Sequence, residues 1–182
     1  MSRVLLDACV LFPSVLREIL LAAAKENLIV PLWSERILEE WRRAAQRQSL
    51  EMGSIAQTEI LLLKARWPHA LVSVPMELQT GLSLPDPNDT HVLAAAIQGK
   101  ADELVTANLR DFPTRVLAQY GIIRRDPDGL LLELAHRDPD RLFRLTQRVL
   151  DKASEMDGSR LELRKTLRKT GLPRLGKFLA SQ

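Results

Sequence analysis

Short apolar runs alternate with segments of helical periodicity along most of this chain. A run such as Val4–Asp7 has the length and apolar character of a short buried strand, and it ends at an acidic residue. Between such runs, apolar residues recur every three or four positions, and this spacing predicts amphipathic helices. The predicted strands are Val4–Asp7, Leu28–Leu32, Ala70–Val74, Glu103–Thr106 and Gly121–Arg124.

The alternation of strands and helices predicts an α/β fold with a mainly parallel sheet that helices cover on both faces. Ser34 is a good helix N-cap, Gly53 is expected to break the chain, and Pro68 is expected to stop the helix that opens at Ser54. The stretch from Pro75 to Asp89 is predicted to be a turn-rich loop. The predicted helices of this region are Ser14–Glu26, Ser34–Gln48, Ser54–Trp67, Thr90–Gln98 and Pro113–Gln119.

From Asp126 onward only helical patterns occur, which predicts a boundary between an α/β domain at 1–126 and a helical extension at 127–182. The charge changes as well. Residues 1–140 hold 15 Lys and Arg against 19 Asp and Glu, a net charge of −4, whereas residues 141–182 hold 11 against 4, a net charge of +7. An acidic body with a basic tail suits a metal site beside a polyanion-binding surface, although a solvated helical face explains the charges equally well.

Composition narrows the class of protein. A chain of 182 residues with 46% hydrophobic and 27% charged residues is expected to be soluble and globular. No apolar run reaches the roughly 18 residues that a membrane helix needs, and the N-terminus does not resemble a signal peptide, so the cytoplasm is the expected location. Cys9 is the single cysteine, which excludes an internal disulfide and a cysteine zinc cluster.

Acidic residues occur just beyond the ends of predicted strands. Asp7 ends the first strand, Asp86 and Asp89 precede the helix that starts at Thr90, and Asp111 follows the fourth strand. Ligands of parallel sheets bind beyond the carboxyl ends of the strands, where these residues are expected to meet. Clustered carboxylates repel one another, so a cation is expected with them, and oxygen ligands suit Mg²⁺ or Mn²⁺. The commonest chemistry at such a site acts on phosphate esters.

Several of these residues have a simpler explanation. Asp86 or Asp89 would serve as a cap for the helix at Thr90, and Asp7 would cap the turn that follows it. Either Glu39 or Glu40 faces the sheet edge, and the helical pattern does not decide which. His91 is expected to be a surface residue or a packing residue of its helix rather than a ligand, and Cys9 is expected to be a packing residue.

The segment after the fourth strand carries three further candidates. Thr106 would orient a water or a carboxylate, or is an ordinary strand residue. Asn108 is neutral and would donate to a phosphate or to a carboxylate. Asp111 lies three residues further on and would supply the charge that Asn108 lacks.

Four segments together resemble the PIN-domain family, the fold of many VapC-type toxins of toxin–antitoxin pairs. The resemblance covers about residues 3–126, and the order and spacing of its segments fit. The segments are Val4-Leu5-Leu6-Asp7, Ser34-Glu35-Arg36-Ile37-Leu38-Glu39-Glu40-Trp41, Asp86-Pro87-Asn88-Asp89-Thr90-His91-Val92-Leu93-Ala94-Ala95-Ala96, and Leu104-Val105-Thr106-Ala107-Asn108-Leu109-Arg110-Asp111-Phe112.

The resemblance implies a three-layer α/β/α fold with five parallel strands in the order 3-2-1-4-5. It also implies ribonuclease activity that depends on Mg²⁺ or Mn²⁺. The first three acidic positions of the family fall on Asp7, Glu40 and Asp89. The fourth usually reads Thr-x-Asp, and here it reads Thr106-Ala107-Asn108, so one carboxylate is missing unless Asp111 replaces it. The longer chain is similar to VapC-like toxins with a helical C-terminal extension.

These observations lead to the hypothesis of a divalent-metal-dependent endoribonuclease. Asp7, Asp89 and Asp111 hold one or two ions, Glu40 completes the catalytic pocket, and Asn108 positions Asp111 or contacts the scissile phosphate. Asp86 and Thr106 have supporting roles, and basic side chains of the tail hold the RNA backbone. By analogy with the family, the substrate is a tRNA or rRNA, a cognate antitoxin is the protein partner, and a homodimer is common. No membrane partner is expected.

The sequence also allows a function without catalysis, and it argues against three other classes of phosphate-binding protein. Because Asn108 replaces an acidic residue, the alternative hypothesis is a PIN-fold module with weak or no catalytic activity that binds RNA or an antitoxin. A dehalogenase-type phosphatase needs an Asp where Cys9 stands, and a receiver domain needs an Asp where the third strand ends in Val74-Pro75. The glycine-rich turn of a dinucleotide-binding fold is absent after the first strand.

Overall fold

The computed structural model describes residues 1–181. Within that range a parallel sheet of five strands forms the centre of the molecule, in the order β3-β2-β1-β4-β5. The predicted parallel α/β sheet and the strand order implied by the PIN-domain resemblance are therefore confirmed. The strands are β1 (Ser2–Leu6), β2 (Ile29–Ser34), β3 (Leu71–Val72), β4 (Glu103–Val105) and β5 (Ile123–Arg125).

Strand β1 lies at the centre of the sheet because its apolar residues are covered on both faces. Leu5 is fully buried and pairs in register with Leu32 of β2 and Leu104 of β4. The register of Leu6 with Val105 brings the residues that follow these two strands side by side. The carboxyl edge, meaning the side of the sheet where all five parallel strands end, therefore carries Asp7 next to Thr106.

Helices cover the sheet, and most of them lie within a few residues of their predicted bounds. Two short helices were not predicted: one directly after β1, and one inside the loop predicted between Pro75 and Asp89. The helices are α1 (Ala8–Leu11), α2 (Ser14–Lys25), α3 (Glu35–Gln48), α4 (Leu50–Arg66), α5 (Met76–Thr80), α6 (Thr90–Gln98), α7 (Thr114–Ala118), α8 (Pro127–Arg137), α9 (Pro139–Asp157), α10 (Leu163–Lys169) and α11 (Pro173–Leu179).

The break predicted at Gly53 is wrong. Helix α4 starts at Leu50, where the Ser49 hydroxyl caps it by accepting a hydrogen bond from the Met52 amide at 3.1 Å. Gly53 lies inside the helix, and a Cβ at this position would stand 2.9 Å from the Cβ of Gln46 on α3. The glycine therefore permits close packing of two antiparallel helices rather than ending one of them.

The tail helices α8–α11 pack onto the body through apolar residues that join the same buried cluster as the sheet. Helix α9 lies against α2, and ion pairs fix its first half. Arg141 Nε donates to Glu26 Oε2 at 2.7 Å, and Arg148 pairs with the other oxygen of Glu26. The hydrogen bond from Arg141 is the main cause that lowers the pKa of Glu26. These contacts lie at the amino edge of the sheet, just before β2.

A second attachment lies at the carboxyl edge. Arg174 at the start of α11 donates through Nε to Asp128 Oδ2 at 3.0 Å and through Nη2 to Asp126 Oδ1 at 2.6 Å. Asp128 is only 5% exposed and also accepts from the Leu175 amide at 2.9 Å. Because Asp126 directly follows β5, this contact ties the end of the tail to the edge where the acidic residues lie. Among residues 1–181, no helix is long and apolar enough to cross a membrane.

Candidate acidic site at the carboxyl edge of the sheet

Three carboxylates meet beyond the carboxyl ends of the central strands. Asp86, Asp89 and Asp111 each offer one oxygen, and these oxygens lie within 4.8 Å of one another. Asp86 and Asp89 belong to the turn that leads into α6, and Asp111 belongs to the loop after β4. All three side chains are partly buried, which places three negative charges in a region with limited access to water.

The two aspartates of the turn have different local roles. Pro87–Asp89 forms one turn of 3-10 helix, and Asp86 Oδ1 caps it by accepting a hydrogen bond from the Asn88 amide at 2.9 Å. Asp89 makes no side-chain hydrogen bond to the start of α6. One aspartate therefore caps the turn, and the carboxylate of Asp89 is directed to the acidic cluster.

Burial and the neighbouring carboxylates together raise the pKa of Asp89. Burial is the main cause that raises the pKa of Asp89 from its ordinary 3.8 to about 6, and the charges of Asp7, Asp86 and Asp111 raise it further. Neighbouring His91 acts in the opposite direction. Because a bound cation would relieve both the burial cost and the repulsion, the raised pKa is the electrostatic signature of a site suited to a cation.

Asp7 lies beside the cluster of three. Its side chain is 7% exposed, and its Oδ2 accepts hydrogen bonds from Thr106 Oγ1 at 2.7 Å and from Cys9 Sγ at 3.1 Å. Its charge is close enough to contribute to the raised pKa of Asp89, although Asp7 is not one of the three residues whose oxygens lie within 4.8 Å. The two donors hold the buried carboxylate in one orientation.

Asn108 connects the elements of the site. Its backbone amide donates to Thr106 Oγ1 at 3.0 Å, and its Nδ2 donates to Asp111 Oδ2 at 2.7 Å. The same Nδ2 lies 3.5 Å from Asp89 Oδ2, a long and weak contact. The neutral amide thus stands between two carboxylates, where an aspartate would add a fourth charge to the cluster.

Glu40, rather than Glu39, faces α6. Glu40 Oε1 lies 2.7 Å from Nε2 of His91 and 3.6 Å from Nε of Arg36. Glu39 instead accepts hydrogen bonds from Arg42 and Arg43, and these bonds lower its pKa to about 2. Glu40 is therefore next to the segment that carries Asp89, but it is not one of the three clustered carboxylates.

His91 and Cys9 are enclosed by the fold. His91 is 1% exposed, and its Nδ1 has no hydrogen-bond partner among the described residues. Its Nε2 lies close to Oε1 of Glu40, but the angles of this contact are not those of a hydrogen bond. Burial, followed by the charge of Asp7, raises the pKa of the Cys9 thiol to about 12, so this thiol is a neutral donor and not a nucleophile.

The donor set fits a hard divalent cation. It consists of carboxylate oxygens on three separate positions of the chain, without sulfur at the point where they converge. The hydrogen bond from Asn108 to Asp111 agrees with the expectation that Asn108 positions Asp111, whereas the contact of Asn108 with Asp89 and the contact between His91 and Glu40 were not predicted. Nothing in the local sequence indicates either contact, because each joins residues that are distant along the chain.

The protein is therefore an α/β protein with a parallel five-stranded sheet and a cluster of carboxylates at the carboxyl ends of the strands. The family model described as "PIN domain" matches residues 3–110, which is more than half of the chain. The chain therefore belongs to the PIN-domain family. The matched range contains Asp7, Glu40, Asp86, Asp89 and Asn108 and ends one residue before Asp111.

One similar protein is "Putative ribonuclease VapC50" of Mycobacterium tuberculosis (strain ATCC 25618 / H37Rv). The two sequences are 47% identical over 45 residues, which is 25% of this chain and 27% of that protein. The chain thus matches about a quarter of the length of this relative. No solved structure matches the chain.

Proposed function

We propose that this protein is a divalent-metal-dependent endoribonuclease and the toxin of a VapBC-type pair. The observation that supports the proposal most strongly is the convergence of Asp86, Asp89 and Asp111 at the carboxyl edge of a PIN-domain sheet. The similarity to a protein named as a ribonuclease gives further support. The ribonuclease domain corresponds to residues 1–126, with residues 127–182 as a helical extension.

Asp89 and Asp111 are the central ligands in this proposal. Asp7 and Asp86 would be the further ligands of the ion. Asp7 lies close enough to raise the pKa of Asp89, and Asp86 lies within the cluster of three carboxylates. A bound Mg²⁺ or Mn²⁺ supplies positive charge for the phosphate oxygens and makes water more acidic. Without that charge, the negative carboxylates would repel the negative phosphate of an RNA from the site.

The other residues orient the ligands. Thr106 and Cys9 hold the buried carboxylate of Asp7 through its Oδ2. One N–H of the Asn108 side chain is occupied by Asp111, and the second has only the 3.5 Å contact to Asp89, so it is positioned to donate to a phosphate oxygen. Glu40 acts from α3 through its contact with His91, next to Asp89.

The first test compares the parent protein with the Asp7→Asn and Asp89→Asn variants on total RNA in the presence of Mg²⁺ or Mn²⁺. Discrete RNA fragments from the parent, absent with EDTA and with either variant, are the expected result. Asp151→Asn serves as a matched control, because Asp151 is exposed on α9 and distant in the chain from the site. Equal cleavage by the parent and by Asp89→Asn would refute the proposal, since a contaminating nuclease would then explain the fragments.

The toxin role has its own test. Induced expression of the parent is expected to arrest growth of a bacterial host, and the Asp89→Asn variant at equal protein level is expected not to. Sequencing of the cleaved RNA ends would show whether the substrate is a tRNA or an rRNA, the classes that the family suggests. Cleavage in solution without any growth effect would keep the ribonuclease proposal and reject the toxin role.

Asn108 favours a second candidate function, a PIN-fold module that binds RNA or an antitoxin without cleaving RNA. An amide stands where the family usually has a carboxylate, and it already satisfies Asp111 by a hydrogen bond of 2.7 Å. RNA binding by a folded parent protein that cleaves no RNA with either ion would support this candidate. In that case Asn108→Asp is expected to produce cleavage.

A further inference from the structure

The basic residues of the tail separate into two groups by their contacts. Arg141 and Arg148 pair with Glu26, and Arg174 pairs with two aspartates at the start of α8. These arginines attach the tail to the body and are not free to bind another molecule. The other eight Lys and Arg residues of 141–182 are exposed and form no ion pair among the described residues. Four of these eight lie within seven consecutive residues of one helix, and the other four are spread singly along the tail.

That helix is α10, whose sequence Leu-Arg-Lys-Thr-Leu-Arg-Lys contains four basic residues and no acidic one. Arg164, Lys165, Arg168 and Lys169 are all exposed. Among residues 1–181, no ion pair and no hydrogen bond from these four side chains is found, and Glu162 is the nearest acidic residue along the chain. Arg168 and Lys169 lie in the last turn, where positive charge is favourable for a helix, but Arg164 and Lys165 stand four residues before them and repel them.

Buried apolar residues explain how α10 is held despite this repulsion. Leu167 is fully buried, and its carbonyl accepts from the Leu172 amide at 2.8 Å where the chain turns into α11. Gly171 makes this turn possible with a φ of +85°, a backbone conformation that favours glycine. One face of α10 is therefore anchored in the core, and the basic side chains lie on the surface.

The position of α10 connects the basic cluster to the acidic site. Helix α10 leads directly into α11, and Arg174 at the start of α11 is bound to Asp126 and Asp128 at the carboxyl end of β5. Strand β5 is the neighbour of β4, which is the neighbour of β1. At about 5 Å per strand, the end of β5, where Arg174 of α11 is bound, lies on the order of 10 Å across the sheet from the end of β1 at Asp7. The C-terminal end of α10, five residues before Arg174, is therefore on the same side of the molecule as the acidic site.

We propose that α10 binds the phosphate backbone of the RNA whose phosphodiester is placed at the acidic site. The identification of the polyanion as RNA rests on the proposed ribonuclease function. Exposed Lys and Arg side chains bind phosphates without reading the bases, so α10 contributes affinity and orientation rather than sequence preference. The carboxylates at the site repel an approaching RNA, and a cluster of four positive charges nearby offsets that repulsion.

The test measures RNA binding separately from cleavage. Fluorescein-labelled bulk tRNA is titrated in EDTA with the parent and with a variant that combines Arg164→Gln, Lys165→Gln, Arg168→Gln and Lys169→Gln. We expect binding at least about tenfold weaker, and a slope of log affinity against log salt that is smaller by about 3, because each phosphate contact contributes roughly 0.7 to 0.9. The double variant Lys165→Gln with Lys169→Gln is expected to give an intermediate slope, and it carries the test if the quadruple variant does not fold.

The matched control for the double variant combines Lys25→Gln with Arg47→Gln. Both residues are exposed and lie at the C-terminal ends of helices that run from the carboxyl edge to the amino edge. This control removes two positive charges at the opposite side of the sheet and is expected to keep the affinity and slope of the parent. An equal loss in the control and the α10 double variant would mean that net charge alone governs binding, which would overturn the proposal.

The two proposals fail in different ways. Unchanged tRNA affinity and salt slope in the α10 variants would overturn the role of α10, whatever the cleavage results show. Binding of tRNA that depends on α10, together with no cleavage by the parent in Mg²⁺ or Mn²⁺, would refute the ribonuclease and leave the role of α10 standing.

Discussion

Replacing Asp89 with asparagine is expected to stabilise the metal-free protein. Asp89 has a pKa raised from 3.8 to about 6 by burial and by neighbouring carboxylates, and it makes no helix-capping hydrogen bond that the substitution would remove. A shift of this size corresponds to about 3 kcal/mol if converted in full. Since Asp89 is partly exposed and water screens its charge, we expect a gain of roughly 1 kcal/mol at pH 7.

The effect has a defined pH dependence. A carboxyl whose pKa is higher in the folded state than in the unfolded state favours folding while it is protonated, and this contribution disappears as pH rises through the folded pKa. The unfolding free energies of Asp89→Asn and of the parent are therefore expected to be similar near pH 4. They are expected to diverge between about pH 4 and pH 6 and to differ by a constant amount above pH 7.

Urea denaturation in EDTA across this pH range measures the difference directly, and in a domain of this size 1 kcal/mol also shifts Tm by about 2 to 4 °C. Asp151→Asn controls for the loss of one surface charge. Added Mn²⁺ should stabilise the parent and should have much less effect on Asp89→Asn, because the variant lacks a ligand. A variant less stable than the parent at pH 7 without metal, or a difference that does not change with pH, would refute the reasoning.

Three further predictions concern other parts of the structure. Asn108→Asp places a carboxylate 2.7 Å from Asp111 and should lower the free energy of unfolding without metal by about 2 kcal/mol. It should also tighten Mn²⁺ binding by about tenfold in calorimetry, and an unchanged Mn²⁺ affinity would contradict this reasoning. Asp128→Asn removes one of the two charged partners of Arg174 and should cost about 1 to 2 kcal/mol in urea denaturation, because Arg174 is half-exposed and keeps Asp126. An unchanged free energy of unfolding would show that this contact does not fix the tail. Cys9 in the folded protein should react with iodoacetamide at pH 8 at least about 30-fold more slowly than free cysteine, and a comparable rate would contradict its raised pKa.

Local signals allowed much of the fold to be predicted. Helix α6 begins at Thr90 after a proline-containing turn and ends before Gly99, and its bounds agree with the prediction. Ser34 was predicted as an N-cap, and its hydroxyl accepts from the Ile37 amide at 3.3 Å. Gly53 shows the limit of such signals, because the same residue type that breaks a helix also permits close helix packing, and only the position of Gln46 decides between them.

The approximate location of the site was also predictable, because residues that follow parallel strands share one edge of the sheet. Its inner arrangement was not. The presence of Asp86 in the cluster depends on the turn that it caps, and the contact of Asn108 with Asp89 depends on the path of the loop after β4. Likewise, the pairing of Arg141 with Glu26 joins residues 115 positions apart, and no periodicity in the sequence indicates it.

The short outer strands have a consequence for self-association. β3 has two residues and β5 has three, so each edge of the sheet offers very little unpaired backbone to another chain. On β5, Arg124 donates to the Leu109 carbonyl at 2.7 Å, and Arg125 pairs with Glu133, which keeps charged groups along that edge. Long, flat and apolar edges are the ones that template aggregation between native sheets. Copies of this protein that associate in the native state are therefore expected to do so through helix side chains, and not by adding strand to strand.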